Sequence, residues 1–519
     1  MKRNLKKNWW SLFFVVGFLF FLWGGWVGAQ ESPSEYNGEP AKYVFLFIGD
    51  GMGIDHISAT QAYLNALEER KESIGFGQLS FTSFPVTGLV TTFDYGSYIT
   101  DSSSAITAII TGKKTYSGVL NMLPDISTPA RSVAEIAKEA GMKVGVVTSV
   151  SLDHATPAGC YAHQPSRNNF YEIALEATQS NFDYFGGGGF LQPRGKKNDQ
   201  RDIFEIFAEN GYTVIKSQED FDKLTPQSGK VVAINSVLDK DQTIPYEIDR
   251  KESGLCLADF TRKGIELLDN PEGFFLLVEG GKIDWAAHAN DLATVIHDVL
   301  AFSKAIEEAV KFYQQHPEET LIVVTADHET GGLTLGFAAT GYSLYPEVLQ
   351  NQKKSFLEFS KIVEQYCQNT PKDKASLLDF WPQIEENFGL LNIPAEEKAQ
   401  LEEKAKNGDK EAQAKLRVAL TDYEREDLEK ALEISMQGKE VQEPYAYLSY
   451  GGYDPLTVTL THILNRKAGL SWTTFSHTGG PVAIFAQGTG AELFDDYFDN
   501  TEIFTKLLSI MSLEPVSVQ

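Results

Sequence analysis

Short runs of consecutive apolar residues recur along the chain and are mostly separated by stretches of helical length. Each run is rich in β-branched or aromatic residues and is bounded by loop residues, as is typical of strands buried on both faces of a sheet. The runs lie at 43–48, 143–147, 230–234, 274–278, 321–324 and 481–485. This alternation predicts an α/β fold with a mostly parallel central sheet flanked by helices on both faces.

The rhythm changes between residues 338 and 471. Residues 394–437 are rich in Glu, Lys, Ala and Leu, and Thr421 followed by Glu424 has the pattern of a capping box. We expect a large, mainly helical insertion at 338–471, consisting either of solvated surface helices or of a lid or dimer contact. The catalytic core would then comprise residues 43–337 and 472–519.

Four consecutive glycines occupy positions 186–189. They lack the spacing and the Lys-Ser/Thr ending of a P-loop. We therefore interpret them as a flexible turn and not as a phosphate cradle.

The N-terminus has the order of a secretory signal peptide. Four basic residues within positions 1–7 precede an apolar run at 9–27, and small residues follow up to Ala29. We expect a signal peptide at 1–29, a polar linker at 30–42 and export to the periplasm or beyond. An uncleaved anchor is the alternative, because the apolar run approaches the length that spans a membrane. After cleavage we expect no stable membrane span.

Composition and charge restrict the function. The chain has 519 residues, of which 42% are hydrophobic and 12% aromatic, as in a packed globular protein. Its net charge of −26 argues against a nucleic-acid partner, which would need a basic surface. A phosphate substrate is still compatible with this charge, since metal ions in a pocket can reverse the local field.

Acidic residues and histidines stand where the predicted strands end. Ligands of open α/β sheets bind beyond the carboxyl ends of the strands. The residues that follow three predicted strands are Asp50, Glu279, Asp327 and His328. Asp284 and His288 are four residues apart, so a helix would place both on one face, as two ligands of one metal require. His477 precedes the predicted strand at 481–485.

These side chains form three sets by their chemistry. Two sets combine imidazole with carboxylate and suit zinc: Asp284, His288 and His477, and Asp327, His328 and Asp50. The third set offers only oxygen ligands and suits magnesium: Glu279, Thr156 and the second oxygen of Asp50. Taken singly, an Asp after a strand is often a helix cap and a His is often structural, so the prediction depends on their occurring together.

Ser102 is the candidate nucleophile. It lies in a serine-rich stretch that leads into an apolar segment, where a helix N-terminus would favour an alkoxide and then a phosphoseryl group. A zinc ion that lowers the pKa of the hydroxyl would make a histidine base unnecessary. The alternative is a simple helix cap. Arg167 offers a fork for two phosphoryl oxygens, although it could equally be a surface arginine.

Taken together, these residues resemble the alkaline phosphatase family. The matching motifs follow the order of the family: FIGDGMG at 47–53, TDS at 100–102, TGKKT at 111–115, HATP at 154–157 with Arg167, VEGGKID at 278–284 with His288, TADHETGG at 325–332 and SHTGG at 476–480. The insertion is not covered. The resemblance implies a metal-dependent phosphomonoesterase with an alkaline phosphatase-like fold, and relatives that often form homodimers.

The resemblance also implies a role for each position. Ser102 would be phosphorylated and dephosphorylated in two in-line steps, and Arg167 would clamp the phosphate. Asp284, His288 and His477 would hold the first zinc, which serves water and the leaving oxygen. Asp327, His328 and Asp50 would hold the second zinc, which activates Ser102 as a further ligand. Asp50, Thr156 and Glu279 would hold magnesium.

Two neighbouring positions vary within the family, and here they are His154 and Trp285. Because both residues would lie near the site, the preference for magnesium, the release of phosphate and the pH optimum cannot be carried over from the family. A sulfatase would need a C/S-x-P-x-R motif, which is absent. A phosphodiesterase of the same superfamily, or a phosphate- or metal-binding protein without turnover, are the competing interpretations. We expect small phosphate monoesters as substrates.

Overall fold

The computed structural model describes residue 36 and residues 38–68, 74–251, 254–438 and 446–514. The predicted signal peptide at 1–29 and the start of the predicted linker lie outside this part of the chain. None of the helices found among these residues is both long and apolar enough to cross a membrane.

A ten-stranded sheet forms the centre of the described structure, and a separate two-stranded sheet accompanies it. The strands are β1 (Tyr43–Ile48), β2 (Val86–Thr91), β3 (Lys143–Thr148), β4 (Tyr184–Gly187), β5 (Tyr212–Ile215), β6 (Lys230–Ile234), β7 (Phe274–Glu279), β8 (Thr320–Thr325), β9 (Glu329–Thr330), β10 (His477–Thr478), β11 (Val482–Gly488) and β12 (Asp496–Asp499). The large sheet has the order β12-β2-β11-β8-β1-β7-β3-β4-β6-β5. Only β11 runs antiparallel to its neighbours.

The helices connect and cover these strands. They are α1 (Ile54–Leu67), α2 (Ser102–Thr111), α3 (Val133–Glu139), α4 (Ala155–Ala158), α5 (Phe170–Gln179), α6 (Ile203–Glu209), α7 (Gln218–Asp222), α8 (Leu257–Leu268), α9 (Lys282–His288), α10 (Leu292–Tyr313), α11 (Phe356–Asn369), α12 (Leu377–Phe388), α13 (Ala395–Lys406), α14 (Lys410–Val418), α15 (Asp422–Ser435), α16 (Ala446–Tyr450), α17 (Pro455–Ala468) and α18 (Glu502–Ile510). Short 3-10 helices lie at Pro226–Ser228, Ala338–Thr340, Pro346–Asn351, Lys372–Lys374 and Ala491–Phe494.

The central strands explain the continuous apolar runs. Every residue of β1, β7 and β8 is buried. Successive side chains of a strand point to opposite faces, so complete burial means that both faces are covered. The predicted α/β class, with a mostly parallel sheet between helical layers, is confirmed.

Four strands of the large sheet, and both strands of the small sheet, were not predicted from the pattern. β5 and β12 lie at the two ends of the sheet and are partly exposed, so they carry no continuous apolar run. β2 mixes exposed and buried positions, and half of β4 is glycine.

The flexible turn predicted at 186–189 is wrong for Gly186 and Gly187, which end β4. A Cβ atom at Gly187 would collide with the carbonyl oxygen of Thr148, and one at Gly188 with that of Val150. Gly187 also has a φ of +120°. These glycines therefore permit close backbone approach to β3 and the segment that follows it.

The segment predicted as an insertion contains α11 to α17, and its described residues form no named strand. The charged stretch at 394–437 forms α13, α14 and α15. The capping box that opens α15 is confirmed, because Glu424 N donates to Thr421 Oγ1 and Thr421 N donates to Glu424 Oε2. The exact domain boundaries stay a prediction.

Replacing Gly187 by alanine should destabilise the protein by about 2–4 kcal/mol, because the new methyl group meets backbone in a conformation that disfavours it. Gly229→Ala is the matched control: Gly229 also has a positive φ, but nothing lies within 4 Å of its added Cβ. Denaturant unfolding would measure both. Equal losses in the two variants would contradict the close-approach explanation.

His163 joins α3 and α5 through two carboxylates. Its Nε2 lies 3.3 Å from Glu135 Oε2, and its Nδ1 lies 3.3 Å from Glu176 Oε2. Burial opposes a charged imidazole, but the two carboxylates outweigh it and raise the pKa of His163 to about 9. The ion pairs therefore stabilise the fold fully below about pH 6.5, and this contribution is lost as the pH rises through 9.

We expect His163→Gln to lower the free energy of unfolding most at neutral to slightly acidic pH, by at most about 3 kcal/mol. The difference from the native chain should shrink as the pH rises from 6.5 to above 9, where the native imidazole is neutral. Unfolding at pH 6, 8 and 10 tests this. A difference that stays constant over the series would mean that His163 acts through packing and not through charge.

Candidate metal centre

Three neighbouring strands bring acidic residues to one edge of the sheet. Asp50 lies two residues beyond β1, Glu279 ends β7, and Asp327 lies two residues beyond β8. β1 pairs with both β7 and β8 in parallel register, so the carboxyl ends of all three strands coincide. All three carboxylates are fully buried. The structure thus brings Asp50 together with two residues that lie more than 200 positions further along the chain.

Helix α9 presents Asp284 and His288 on one face, as their spacing predicted. His288 Nε2 lies 3.4 Å from Asp284 Oδ1. The third member of this group, His477, comes from β10, and its Nε2 lies 3.7 Å from the same oxygen. Ligand atoms of Asp284, His288 and His477 all lie within 4.8 Å of one another.

Hydrogen bonds orient the two imidazoles of this group. His288 Nδ1 donates to the carbonyl oxygen of Phe475 at 2.6 Å, and His477 Nδ1 donates to that of Thr100 at 2.8 Å. The two Nε2 atoms then face each other at 3.1 Å. Each Nδ1 must carry a hydrogen to donate to a carbonyl, so the Nε2 atoms are free to act as metal ligands.

Electrostatics at these nitrogens also favour a cation. Asp284 raises the pKa of His288 to about 9 against the effect of burial, whereas burial lowers the pKa of His477. A single proton shared by His288 Nε2 and His477 Nε2 would give these two nitrogens a hydrogen bond but would leave the Asp284 carboxylate without a ligand. A divalent cation would bind both nitrogens and the carboxylate, and would compete with that proton.

The second group surrounds His328, which is fully buried. Its Nε2 lies 3.2 Å from Asp327 Oδ2 and 3.6 Å from Asp50 Oδ1. Ligand atoms of Asp50, Asp284 and His328 lie within 4.8 Å of one another. The predicted set of Asp50, Asp327 and His328 is therefore assembled, with Asp284 between it and the first group.

The carboxylates of this group lack neutralising partners. Both oxygens of Asp50 and Oδ2 of Asp327 are buried without a hydrogen-bond partner among the described residues. Burial, with the neighbouring carboxylates, raises the pKa of Asp50 well above its usual range, and burial raises that of Asp327 to about 7. Buried like charges of this kind require a cation, so the residues fit a metal ion.

The third group lies on the other side of Asp50. Ligand atoms of Asp50, His154 and Glu279 fall within 4.8 Å of one another. Glu279 Oε1 and Thr156 Oγ1 are buried and unpartnered within the described chain. Burial raises the pKa of Glu279 to about 8. The predicted oxygen set of Asp50, Thr156 and Glu279 thus has unsatisfied oxygens, as a hard cation would require.

His154 lies closer to this group than the sequence indicated. Its Nδ1 is buried without a partner among the described residues, and its Nε2 accepts from Arg167 Nη2 at 3.2 Å. Burial, assisted by Arg167, lowers the pKa of His154 to about 3, so the ring is neutral. Trp285 meets the same ring edge-on, with 5.9 Å between the ring centroids.

Ser102 begins α2, which confirms the predicted helix N-terminus. Its Oγ lies 3.3 Å from His328 Nε2, so the hydroxyl faces the second group. Asp101 caps the helix by accepting from Ser104 N at 2.9 Å. The cap is therefore Asp101, and the Ser102 hydroxyl stays directed at the candidate metal centre.

Arg167 is docked beside this helix and is not a free surface arginine. Its Nη1 donates to Asp101 Oδ2 at 2.9 Å. With His154 on its other terminal nitrogen, the guanidinium is held close to Ser102. The arrangement combines a hydroxyl at a helix N-terminus, a guanidinium group and three clusters of candidate metal ligands. These are the features of a phosphoryl-transfer site.

Sequence reasoning missed the residues that hold the ligands in place. Thr330 Oγ1 donates to Asp284 Oδ1 at 2.6 Å. The carboxylate of Glu329 accepts from Gly332 N at 2.9 Å and from the hydroxyl of Thr478. Both lie within the TADHETGG motif, but neither position has a periodic or compositional signal that would distinguish it from a loop residue.

Comparison with known proteins agrees with the resemblance found in the sequence motifs. A family model described as alkaline phosphatase matches residues 41–513. "Alkaline phosphatase 3" of Bacillus subtilis (strain 168) is 30% identical over 486 residues, which cover 92% of this chain and 90% of that protein.

Solved structures are also similar. The cold-active alkaline phosphatase from the psychrophile Shewanella sp. has a TM-score of 0.71 and 29% identity, covering 90% of this chain and 99% of that one. A variant of TAB5 alkaline phosphatase, described with Mg bound in a site called M3, has a TM-score of 0.60 and 25% identity, covering 92% of this chain and 99% of that one.

Removing divalent cations should destabilise the protein, because the buried carboxylates and the paired Nε2 atoms lose their partner. Zinc at a thousandfold excess over its dissociation constant should restore about 4 kcal/mol. Thermal unfolding with chelator, and then with added zinc, measures the shift. His288→Ala should reduce it, whereas His316→Ala, a histidine outside the three groups, should retain it. An identical shift in both variants would contradict the first group as a cation site.

Proposed function

The chain belongs to the alkaline phosphatase family and is a phosphatase, and from this premise we propose that it hydrolyses phosphate monoesters through a phosphoserine intermediate on Ser102. The observation that carries the proposal is the position of the Ser102 hydroxyl, which faces His328 in a cation group, while Arg167 is hydrogen-bonded to the adjacent residue Asp101. A phosphoryl group placed there meets the nucleophile, the clamp and the cation groups together.

We propose zinc for the first two groups and magnesium for the third. Asp284, His288 and His477 would hold one zinc, and Asp50, Asp327 and His328 the other, since both sets combine imidazole with carboxylate. Asp50, Thr156 and Glu279 would hold magnesium through oxygen. The magnesium described in the site called M3 of a histidine-to-glutamate variant of the TAB5 relative is a precedent for a further cation site in this family. When bound, the ions would lower the pKa values of the serine hydroxyl and of water, and stabilise the leaving oxygen on the side of the first zinc.

The chain's own residues would carry two displacements. Ser102 Oγ, deprotonated, attacks phosphorus while the bond to the ester oxygen breaks, and the alcohol leaves after taking up a proton. Water then attacks the phosphoserine, loses a proton and releases inorganic phosphate, so that the serine oxygen is restored. Arg167 orients two phosphoryl oxygens, and the N-terminus of α2 favours the negative charge throughout.

The Arg167 fork favours a monoester over a diester. A monoester offers unesterified oxygens for the arginine in addition to those that face the cation groups, whereas a diester has one fewer. A binding protein without turnover would be expected to have lost the nucleophile or a ligand, and every predicted position is occupied by a competent side chain. Phosphodiesterase activity and ligand binding without turnover are therefore the alternatives that the assay must exclude.

We also propose that the protein is exported. The basic, apolar and small-residue order of positions 1–29 supports this. Because the composition is rich in carboxylates, we propose no nucleic-acid partner. We also propose a homodimer, and the only support for it is that members of the family often form homodimers. We propose the segment 338–471 as the place of a dimer contact or a lid.

The decisive assay offers the zinc- and magnesium-loaded protein an aryl phosphate monoester, its diester and an aryl sulfate at alkaline pH. Monoester hydrolysis should dominate, and Ser102→Ala should lower kcat by more than about a thousandfold. Ser103→Ala is the matched control, because its hydroxyl bonds only to the Asp101 carboxylate. Its kcat should change far less.

Mass spectrometry of acid-quenched enzyme should find one phosphate on the peptide that contains Ser102. No turnover of the monoester by folded, metal-loaded protein would make the proposal wrong. Dominant cleavage of the diester would favour the phosphodiesterase alternative instead.

A further inference from the structure

A cavity of about 490 Å³ lies between the insertion and the segment that leads to His477. Residues of α15, α16 and α17 form one wall, and residues 472–475 form much of the other. The volume is in the range of small-molecule sites in proteins. None of the catalytic or metal-binding positions described above lines it.

The cavity nevertheless adjoins the first cation group. Phe475, which lines the cavity, accepts the Nδ1 hydrogen bond of His288 through its carbonyl oxygen. The hydroxyl of Tyr447 on α16 lies 3.3 Å from Ser476 Oγ, one residue before His477. The rim is therefore next to the side of the site where the proposed mechanism releases the alcohol.

Aromatic rings lie on both walls of the cavity. Tyr423 and Tyr447 stand at the rim with relative exposures of 67% and 57%, and Trp472 and Phe475 lie in the facing wall. Large rings exposed around a concave surface are characteristic of sites that bind a ligand. Rings on both walls suit a planar group that can stack between or against them.

The polar groups of the cavity favour hydrogen-bond acceptors. Lys430 and Arg466 line the cavity, and neither forms an ion pair within the described chain, whereas Asp427 is the one acidic residue of the lining. This local excess of donors and positive charge contrasts with the net charge of −26.

We propose that this cavity binds the aromatic leaving group of the substrate, and that the fitting class is a nucleoside. A nucleobase supplies a planar face for the aromatic rings, and ring nitrogens or carbonyl oxygens for Arg466. A small polyol can accept hydrogen bonds but has no planar face to stack on these rings. The inference rests on the proposed function, because it names the class of monoester that the same site prefers.

The test compares adenosine 5′-monophosphate with glycerol 3-phosphate on the metal-loaded, full-length protein. In Trp472→Leu and in Arg466→Gln, the ratio of kcat/KM for the nucleotide to that for glycerol phosphate should fall about tenfold, the effect of losing one stacking or hydrogen-bonding partner. Tyr342→Phe, an exposed tyrosine of the insertion outside the cavity, should keep the native ratio. Adenosine should also inhibit glycerol phosphate hydrolysis about tenfold more weakly in the two cavity variants.

The outcomes separate the two proposals. If both substrates are hydrolysed and the ratio is native in both cavity variants, the cavity does not bind the leaving group, and the proposed function is unaffected. If the native protein hydrolyses neither substrate, the proposed function is wrong and this inference with it. Because Trp472 also packs against Gly331, the partly exposed Arg466 keeps the test independent of folding.

Discussion

The burial of carboxylates at the ends of three adjacent strands is the constraint on which this structure depends. Asp50, Glu279 and Asp327 carry like charges in an interior that cannot solvate them, and burial raises the pKa of each. Such a cluster is compatible with a stable ionised fold only when cations neutralise it. The rigid parallel sheet holds the oxygens in place, so that cation binding and folding are thermodynamically linked.

The small two-stranded sheet, and not the large sheet, positions the histidines. His328 and His477 lie nearly 150 positions apart, and the small sheet of β9 and β10 joins their segments by pairing Thr330 with His477. The two imidazole rings stack with 3.6 Å between centroids. Glu329 stabilises the same connection through Gly332 and Thr478. Two short strands thus determine how the nitrogen ligands meet the oxygen ligands supplied by the large sheet.

In the proposed function, the core and the insertion have different roles. The segments at the carboxyl ends of the large sheet, with α2, α9 and the small sheet, carry the proposed nucleophile and cation ligands, which would act on the phosphoryl group that every phosphate monoester shares. The insertion supplies α15, α16 and α17, which line the cavity beside the segment that leads to His477. In the proposed function, chemistry common to all substrates would therefore depend on the buried site, whereas selection among substrates would depend on a partly exposed surface.

Sequence alone determined the α/β class, the central strands and the helix that carries Asp284 and His288, and it predicted which residues are candidate ligands. These features are local: burial on both faces imposes continuous apolar runs, and a four-residue spacing imposes one helix face. Only the tertiary structure decided that Asp284 lies between two groups, that His154 directs a nitrogen toward the third, and that Arg167 is docked on Asp101. It also replaced the predicted turn at Gly187 by a strand. Each of these depends on contacts between distant segments, which no local pattern encodes.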